Sequence, residues 1–300
     1  MAATAYGTSC FHLGHVDESV RVFAAASTEC EGDQYEDAAS SFGIDARSLF
    51  RGQWSRTLTC AGYLEQATRQ AALSVASARQ RQHLPSIAVT LSSSCYTTLA
   101  VRDLPLLQAR SSELCQLARE QGFSFWLARG NSYAGWLAGA VGQLECGRAL
   151  LSEALAEFDR MGVLLYRSES IGMLSDIHAW TGASELAFDL LDQALAMSAK
   201  TGEVWIDSDL HRRQGELRMA DPARAEANFQ RAIGIARTQS ARLFELRASV
   251  SLARLWRDQG KRDEAHALLA PIHGWFTEGF DRPDLMDAKA LLDELAAAPA

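Results

Sequence analysis

Cys10, His12 and His15 cluster near the N-terminus, and thiols and imidazoles are the side chains that hold a zinc ion. The set lacks a clear fourth ligand, so packing of an N-terminal turn is the expected role. His266 and His273 lie seven residues apart on a predicted helix, too far for one metal, and are expected at surface or capping positions. The six cysteines, Cys10, Cys30, Cys60, Cys95, Cys115 and Cys146, contain no C-x-x-C pair, which suits reduced core thiols of a cytoplasmic protein. No phosphate loop, G-x-G-x-x-G, G-x-S-x-G or H-E-x-x-H sequence occurs. No catalytic residue, cofactor or metal is therefore expected.

Aromatic and cationic side chains offer binding chemistry instead. Phe123, Phe125, Trp126, Tyr133 and Trp136 crowd one predicted helix, and Trp275 and Phe276 end another. Most of them are expected between helices, where stacks fill their grooves with large side chains; the Phe125–Trp136 group is the one candidate for an enclosed ligand pocket. Arg247, Arg254 and Arg257 follow at helical spacing, a stripe expected to be solvated and balanced by Asp258 and Asp263, or else to face an acidic peptide. The net charge of −8 argues against nucleic-acid binding. No apolar run is long enough to span a membrane, and the N-terminus has no secretory pattern.

The elements that must position these groups are punctuated by glycine. Gly122, Gly142, Gly162, Gly182 and Gly202 recur every 20 residues, with apolar, helix-favouring sequence between them. Glycine at that interval reads as a left-handed helix stop, so two helices make a repeat of about 40 residues. After the turns come Gly147, Leu151 and Ala154; Ala187, Leu191 and Ala194; Ala265, Leu269 and Ile272; Ser19, Phe23 and Ala26; and Ala225, Phe229 and Ala232. Small, large and apolar residues at offsets of four and three share one helix face, and the small one lets a neighbouring helix approach. The first helices are looser but match the tetratricopeptide pattern, lengthened by about one turn.

The predicted fold is all-α: a tetratricopeptide-like α-solenoid, a right-handed superhelix of about seven antiparallel helix pairs plus a C-terminal capping helix. The pairs fall near 1–27, 39–82, 84–121, 123–161, 164–201, 204–239 and 242–276. One domain, 1–300, is expected, with 1–38 an irregular, incomplete first repeat and 281–300 a capping helix and frayed tail. The acidic stretch between Ser27 and Ala38 reads as the longest loop. Asp281 is the expected N-cap of the last helix, whose face of Leu285, Ala288, Leu291, Leu292 and Leu295 would cover the end of the stack.

From Asp209 onward the wording is more specific. Leu210-His211-Arg212-Arg213-Gln214-Gly215-Glu216-Leu217, Ala227-Asn228-Phe229-Gln230-Arg231-Ala232-Ile233 and Leu252-Ala253-Arg254-Leu255-Trp256 resemble the C-terminal tetratricopeptide region of bacterial class III adenylate/guanylate cyclase–P-loop ATPase signalling proteins. Gly260-Lys261-Arg262-Asp263-Glu264-Ala265 and Trp275-Phe276-Thr277-Glu278-Gly279-Phe280 continue the likeness. The resemblance implies a detached or truncated regulatory region that lacks the family's cyclase and ATPase domains. A protein or peptide partner, such as a cyclase or ATPase module, would then lie in a concave groove lined by the first helices. Tyr96, Arg129, Ser132, Trp136, Glu169, Asp176, Asp209, Arg212, Glu216, Arg247 and Arg254 are its expected lining, each exposed and pointing inward. Arg212 and Glu216 are expected to serve capture without serving stability. The alternative is a small-molecule sensor like the repeat domains of ATP-dependent transcription activators.

Overall fold

A computed structural model describes residues 1–30 and 43–297, and these fold entirely into helices and turns. Seven antiparallel hairpins follow one another. The first four are α1 (Ala2–His12) with α2 (Val16–Cys30), α3 (Ala46–Ala61) with α4 (Leu64–Gln80), α5 (Leu84–Ala100) with α6 (Leu104–Gln121), and α7 (Ser124–Ala140) with α8 (Leu144–Met161). Then come α9 (Arg167–Trp180) with α10 (Ser184–Thr201), α11 (Asp207–Leu217) with α12 (Pro222–Gln239), and α13 (Arg242–Asp258) with α14 (Arg262–His273). A final helix, α15 (Pro283–Ala296), packs on α13 and α14. The architecture is the tetratricopeptide-like α-solenoid, with hairpins at the expected places.

The 20-residue punctuation is a backbone rule rather than a glycine rule. Gly142 and Gly182 hold φ of +87° and +81°, as a left-handed stop demands. Stepping back by the same interval from Gly122 reaches Arg102 and Gln82, which are not glycines yet hold φ of +56° and +54°. The turn register therefore runs unbroken from Gly62 to Gly202, and two of its stops carry a Cβ in a disfavoured conformation.

The second helix of each hairpin lies outside and buries one face. Leu151, Leu191, Leu269, Phe23 and Phe229 are inaccessible to solvent, as are Ala187, Ala225, Ala265 and Ser19. Small residues do permit close approach: a Cβ on Gly147 would meet the Gly135 carbonyl oxygen at 2.6 Å. The first helices lie inside and are buried nearly all round, which explains their loose apolar pattern. Their small hydroxyl residues pair from one repeat to the next, Thr59 with Thr97 at 3.1 Å and Ser132 with Ser170 at 3.0 Å, and Thr57 also meets Ser19 of α2 at 2.9 Å.

The superhelix curls until distant repeats touch. The Val204 amide donates to the His12 carbonyl at 2.9 Å, tying the first hairpin to the turn before α11. Glu278 accepts from the Glu65 and Gln66 amides at 2.9 and 3.1 Å, so the segment after α14 caps α4. Tyr63 and Trp275 meet there, with ring centroids 5.4 Å apart. Arg247 on α13 donates to the Ala100 carbonyl at the end of α5, 2.6 Å away. The superhelix thus closes on itself, and most of its interior is core rather than an open trough.

Within the stretch 1–38, the α1–α2 hairpin has a first helix of 11 residues, α2 continues to Cys30, and residues 31–38 lie outside the described set. Other local expectations are corrected. The last helix is capped by Arg282 rather than Asp281, without a side-chain bond, because Pro283 occupies its first turn. Leu285, Ala288, Leu291 and Leu295 are buried as expected, and Leu292 partly so. Cys10, Cys60, Cys95 and Cys115 are buried free thiols, whereas Cys146 is exposed on the outer face of α8. Burial without a strong compensating partner pushes the Cys60 thiol up to about 12, which keeps it protonated.

Candidate binding cavity

The inner helices leave one cavity of about 380 Å³ along the axis. Its walls are helix faces set by 3.6-residue periodicity: Arg247, Val250, Ser251 and Arg254 on α13, and Asp209, Arg212, Arg213 and Glu216 on α11. Across from them α9 presents Met173, Asp176 and Trp180, and α7 presents Trp136. Neighbouring first helices pack closely elsewhere in the stack, but α9 and α11 approach each other less, and they face one another across the cavity.

The floor is aromatic. Trp205 and Phe244 stack at a 6.4 Å centroid separation, and Tyr96 meets Trp205 edge-on at 5.3 Å. Beneath them sits a wholly buried cation. The Arg56 guanidinium lies 4.5 Å from the Tyr166 ring centroid, 5.0 Å from Tyr96, 5.1 Å from Phe11 and 5.5 Å from Trp205. It donates to the Tyr166 hydroxyl at 2.5 Å. Burial would favour losing its proton, but the surrounding phenols and Glu169 hold its pKa above the ordinary value. Arg129 also lies over the Tyr166 ring, 4.1 Å from its centroid, and pairs with Glu169 at 2.8 Å. Tyr166 holds this place at φ +65°, a left-handed conformation that its ring and hydroxyl contacts must offset.

Above the floor the charges form a chain. Asp176 accepts from the Trp136 indole at 2.7 Å and from Arg213 at 3.1 Å. Arg213 continues to Asp209, which also receives Arg212 at 2.8 Å, and Arg212 reaches Glu216 at 2.6 Å. Burial alone would raise the Asp209 pKa, but Arg212 and Arg213 outweigh it and hold this carboxyl well below its usual range. At Asp176 burial prevails over Arg213 and raises the pKa. Asp284, brought in by α15, binds Arg247 and Arg102, each at 2.7 Å. Arg254 is exposed on the cavity rim and has no ion-pair or hydrogen-bond partner among the described residues.

Of the eleven expected groove residues, Tyr96, Trp136, Glu169, Asp176, Asp209, Arg212, Glu216, Arg247 and Arg254 line this cavity. Arg129 and Ser132 do not; they are internal, Arg129 ion-paired with Glu169 and Ser132 hydrogen-bonded to Ser170. General exposure was also the wrong expectation: Tyr96, Glu169 and Asp209 are buried, because the closed axis turns groove positions into core. Arg212 is an anchor of the buried Asp209 carboxylate, so its removal would disturb structure as well as any contact. Phe125 and Trp136 do not share a pocket. Phe125 packs outward on Trp126 and Phe158, whereas Trp136 meets Trp180 in the cavity at 5.7 Å.

Other singled-out groups lie apart from this cavity. The Arg257 guanidinium binds Asp258 and Glu294 rather than Asp263. His12 Nδ1 faces Glu203 at 3.1 Å, and burial lowers its pKa. His273 packs by Phe280, with centroids 6.1 Å apart. Among the described residues no group of three His, Cys, Asp or Glu is arranged to hold a metal. No described helix is long and apolar enough to cross a membrane.

Sequence reasoning missed Trp180, Arg213, Trp205, Phe244 and Asp284 in the lining. Trp180 was accessible from its spacing four residues after Asp176. Asp284 carried no repeat signal, since it reaches the cavity from the capping helix.

No protein-family profile and no curated protein matches the chain. Solved structures do. A Rap protein complexed with Competence and Sporulation Factor aligns with a TM-score of 0.65 at 12% identity, covering 98% of this chain and 75% of that one. Apo RapI gives 0.56 at 9% identity, covering 97% and 98%. Aspartyl phosphate phosphatase F from Bacillus subtilis gives 0.58 at 13% identity, covering 91% and 68%. The likeness spans the whole superhelix, and it places this chain's fold among the tetratricopeptide-like helical-repeat solenoids.

Proposed function

We propose that this chain is a non-catalytic helical-repeat scaffold that recognises a protein or peptide segment at its axial cavity. The observation that carries the reading is the convergence of α5, α7, α9, α11 and α13 on one cavity with an aromatic floor and a charged rim. Such a surface offers apolar area and directional ion pairs on rigid elements, so little ordering cost accompanies binding. The lining contains no His, Cys or Lys, and its one serine, Ser251, is engaged by Glu216 at 3.1 Å, which suits recognition better than turnover. A Rap protein of like fold is solved with Competence and Sporulation Factor, a precedent for a bound factor in this architecture.

The wording of residues 209–280 supports a finer reading: the regulatory C-terminal region of a cytoplasmic bacterial cyclase–ATPase signalling protein, acting as one domain. Immobilised chain should bind a purified cyclase–ATPase module. The variant Trp180→Ala, at an indole that is 43% exposed, should bind it at least about tenfold more weakly with little change in melting temperature. Equal binding by the variant would remove the cavity from the reading, and no binding by the native chain would remove the cyclase–ATPase partner.

The cavity's size favours a second reading, a small-molecule sensor. Its volume of about 380 Å³ falls within the range of ligand pockets. A thermal-shift screen against metabolites separates the readings, since a reproducible rise with one compound favours the sensor.

A further inference from the structure

The charges around the cavity are unequal in one respect. Each carboxylate in the lining already faces a guanidinium: Glu169 faces Arg129, Asp176 faces Arg213, Asp209 faces Arg212 and Arg213, and Glu216 faces Arg212. Asp284 and Asp287 both face Arg102, and Asp284 also faces Arg247. Arg254 alone among the lining arginines has no acidic partner among the described residues. It projects from the same face of α13 as Arg247, Val250 and Ser251, so its reach is over the cavity rather than along the outer surface.

We propose that the cavity takes a monoanionic carboxylate joined to an apolar or aromatic body, with Arg254 binding the carboxylate. This rests on the reading of the cavity as the recognition site and names the chemistry it selects. A guanidinium fork matches a planar carboxylate with two parallel hydrogen bonds. Arg254 is the lining guanidinium left without a carboxylate contact among the described residues, so it can take up the ligand's carboxylate. A phosphate dianion would bring a second charge close to Glu216, Asp176 and Asp287, all of which line the same space. The body of the ligand has an apolar bed: Trp136 and Trp180 at the side, and Met173, Trp205 and Phe244 below. A peptide C-terminus and a free aromatic acid both present this chemistry.

Calorimetric titration of the full chain tests it. The probes are the tripeptide Leu-Leu-Phe as free acid and as C-terminal amide, and 3-phenylpropionate with 3-phenylpropionamide. At least one acid should bind, and its amide should bind about tenfold more weakly or not at all. Arg254→Ala should abolish the preference, while Arg257→Ala, outside the cavity, should retain it. Whichever acid binds identifies the source as peptide or metabolite. Inorganic phosphate should not compete. Equal affinity for acid and amide, an unaltered preference in Arg254→Ala, or competition by phosphate overturns the carboxylate assignment and leaves the scaffold reading standing. Absence of binding by both acids to millimolar concentration overturns it too, and the scaffold reading is then decided by capture of the cyclase–ATPase module. Because Arg254 is exposed and unpaired, Arg254→Ala should keep its melting temperature, so lost binding is not lost folding.

Discussion

The outer helices and the inner helices of this solenoid are built from different chemistry. Outer helices such as α8, α10 and α12 bury a single stripe of small and large apolar residues and give the other face to water. Inner helices such as α3 and α5 are enclosed on nearly every side, yet they carry serine, threonine and arginine. Polar residues there are not solvated groove positions. Many are partners of one another, as Ser132 is of Ser170 and Arg129 of Glu169. A stripe tolerates variation on its free face, whereas an enclosed polar ring must satisfy each member or lose stability.

The largest expected effect is on the inner ring. Arg129→Ala leaves Glu169 a buried carboxylate without its guanidinium, and equilibrium urea unfolding should register a loss of about 3–5 kcal/mol. A loss below about 1 kcal/mol would mean that water enters the axis and the ring is less closed than described. On the outer layer, Leu191→Ala should cost about 2–5 kcal/mol through lost apolar burial and a residual void, whatever the pH. If Arg129→Ala and Leu191→Ala responded alike to pH, the distinction between charged interior and apolar stripe would fail.

The seam between the first hairpin and α11 sharpens the contrast, because its groups titrate. Burial raises the Asp207 carboxyl to about 6 despite a hydrogen bond from Ser198. Its folded pKa exceeds the unfolded value of about 3.9, so the native state holds the extra proton between them. This group's contribution therefore falls as pH rises from about 4 to about 6 and stays low above that. Asp207→Asn should flatten that decline, measured as unfolding midpoints at pH 4.5 and 7.5. His12 acts in the opposite sense: its lowered pKa makes the seam weaken as pH falls through the unfolded value near 6.5.

Smaller effects follow. Ser132→Ala should cost about 1 kcal/mol by leaving the Ser170 hydroxyl with one partner fewer. No measurable change would show that the repeat-to-repeat hydroxyl pairs are incidental. Gln82→Gly, at an exposed turn with φ of +54°, should be neutral or stabilising by up to about 0.5 kcal/mol, since relief of the left-handed strain and the greater freedom of unfolded glycine nearly cancel. A clear destabilisation there would mean the glutamine side chain supports the turn.

The pattern that made the hairpins legible belongs to the outer layer. Leu151 with Ala154 and Leu191 with Ala194 announce a buried face by spacing alone. Inner helices gave weaker signals because a segment buried all round has no polar side to set a period. Nine of the eleven nominated positions line the cavity, since repeat register places equivalent residues on the same inner face. The burial of Tyr96, Glu169 and Asp209 was not legible, because it depends on how far the superhelix curls, and that curvature is the sum of small rotations in each hairpin. The Arg56 enclosure shows the same limit: its rings come from α1, α5 and the turns before α9 and α11, which no local spacing connects.

Chain chemistry alone determined the helices, their 20-residue punctuation, the pairing of neighbours and the absence of familiar catalytic motifs, because each follows from contacts within one repeat or between adjacent ones. Only the tertiary structure decided that the axis closes, that Trp205 and Asp284 line one cavity, and that Arg254 is left without an acidic partner among the described residues. Those outcomes join residues roughly two hundred positions apart, whose meeting is set by the accumulated curvature of the whole stack rather than by any segment's own preference.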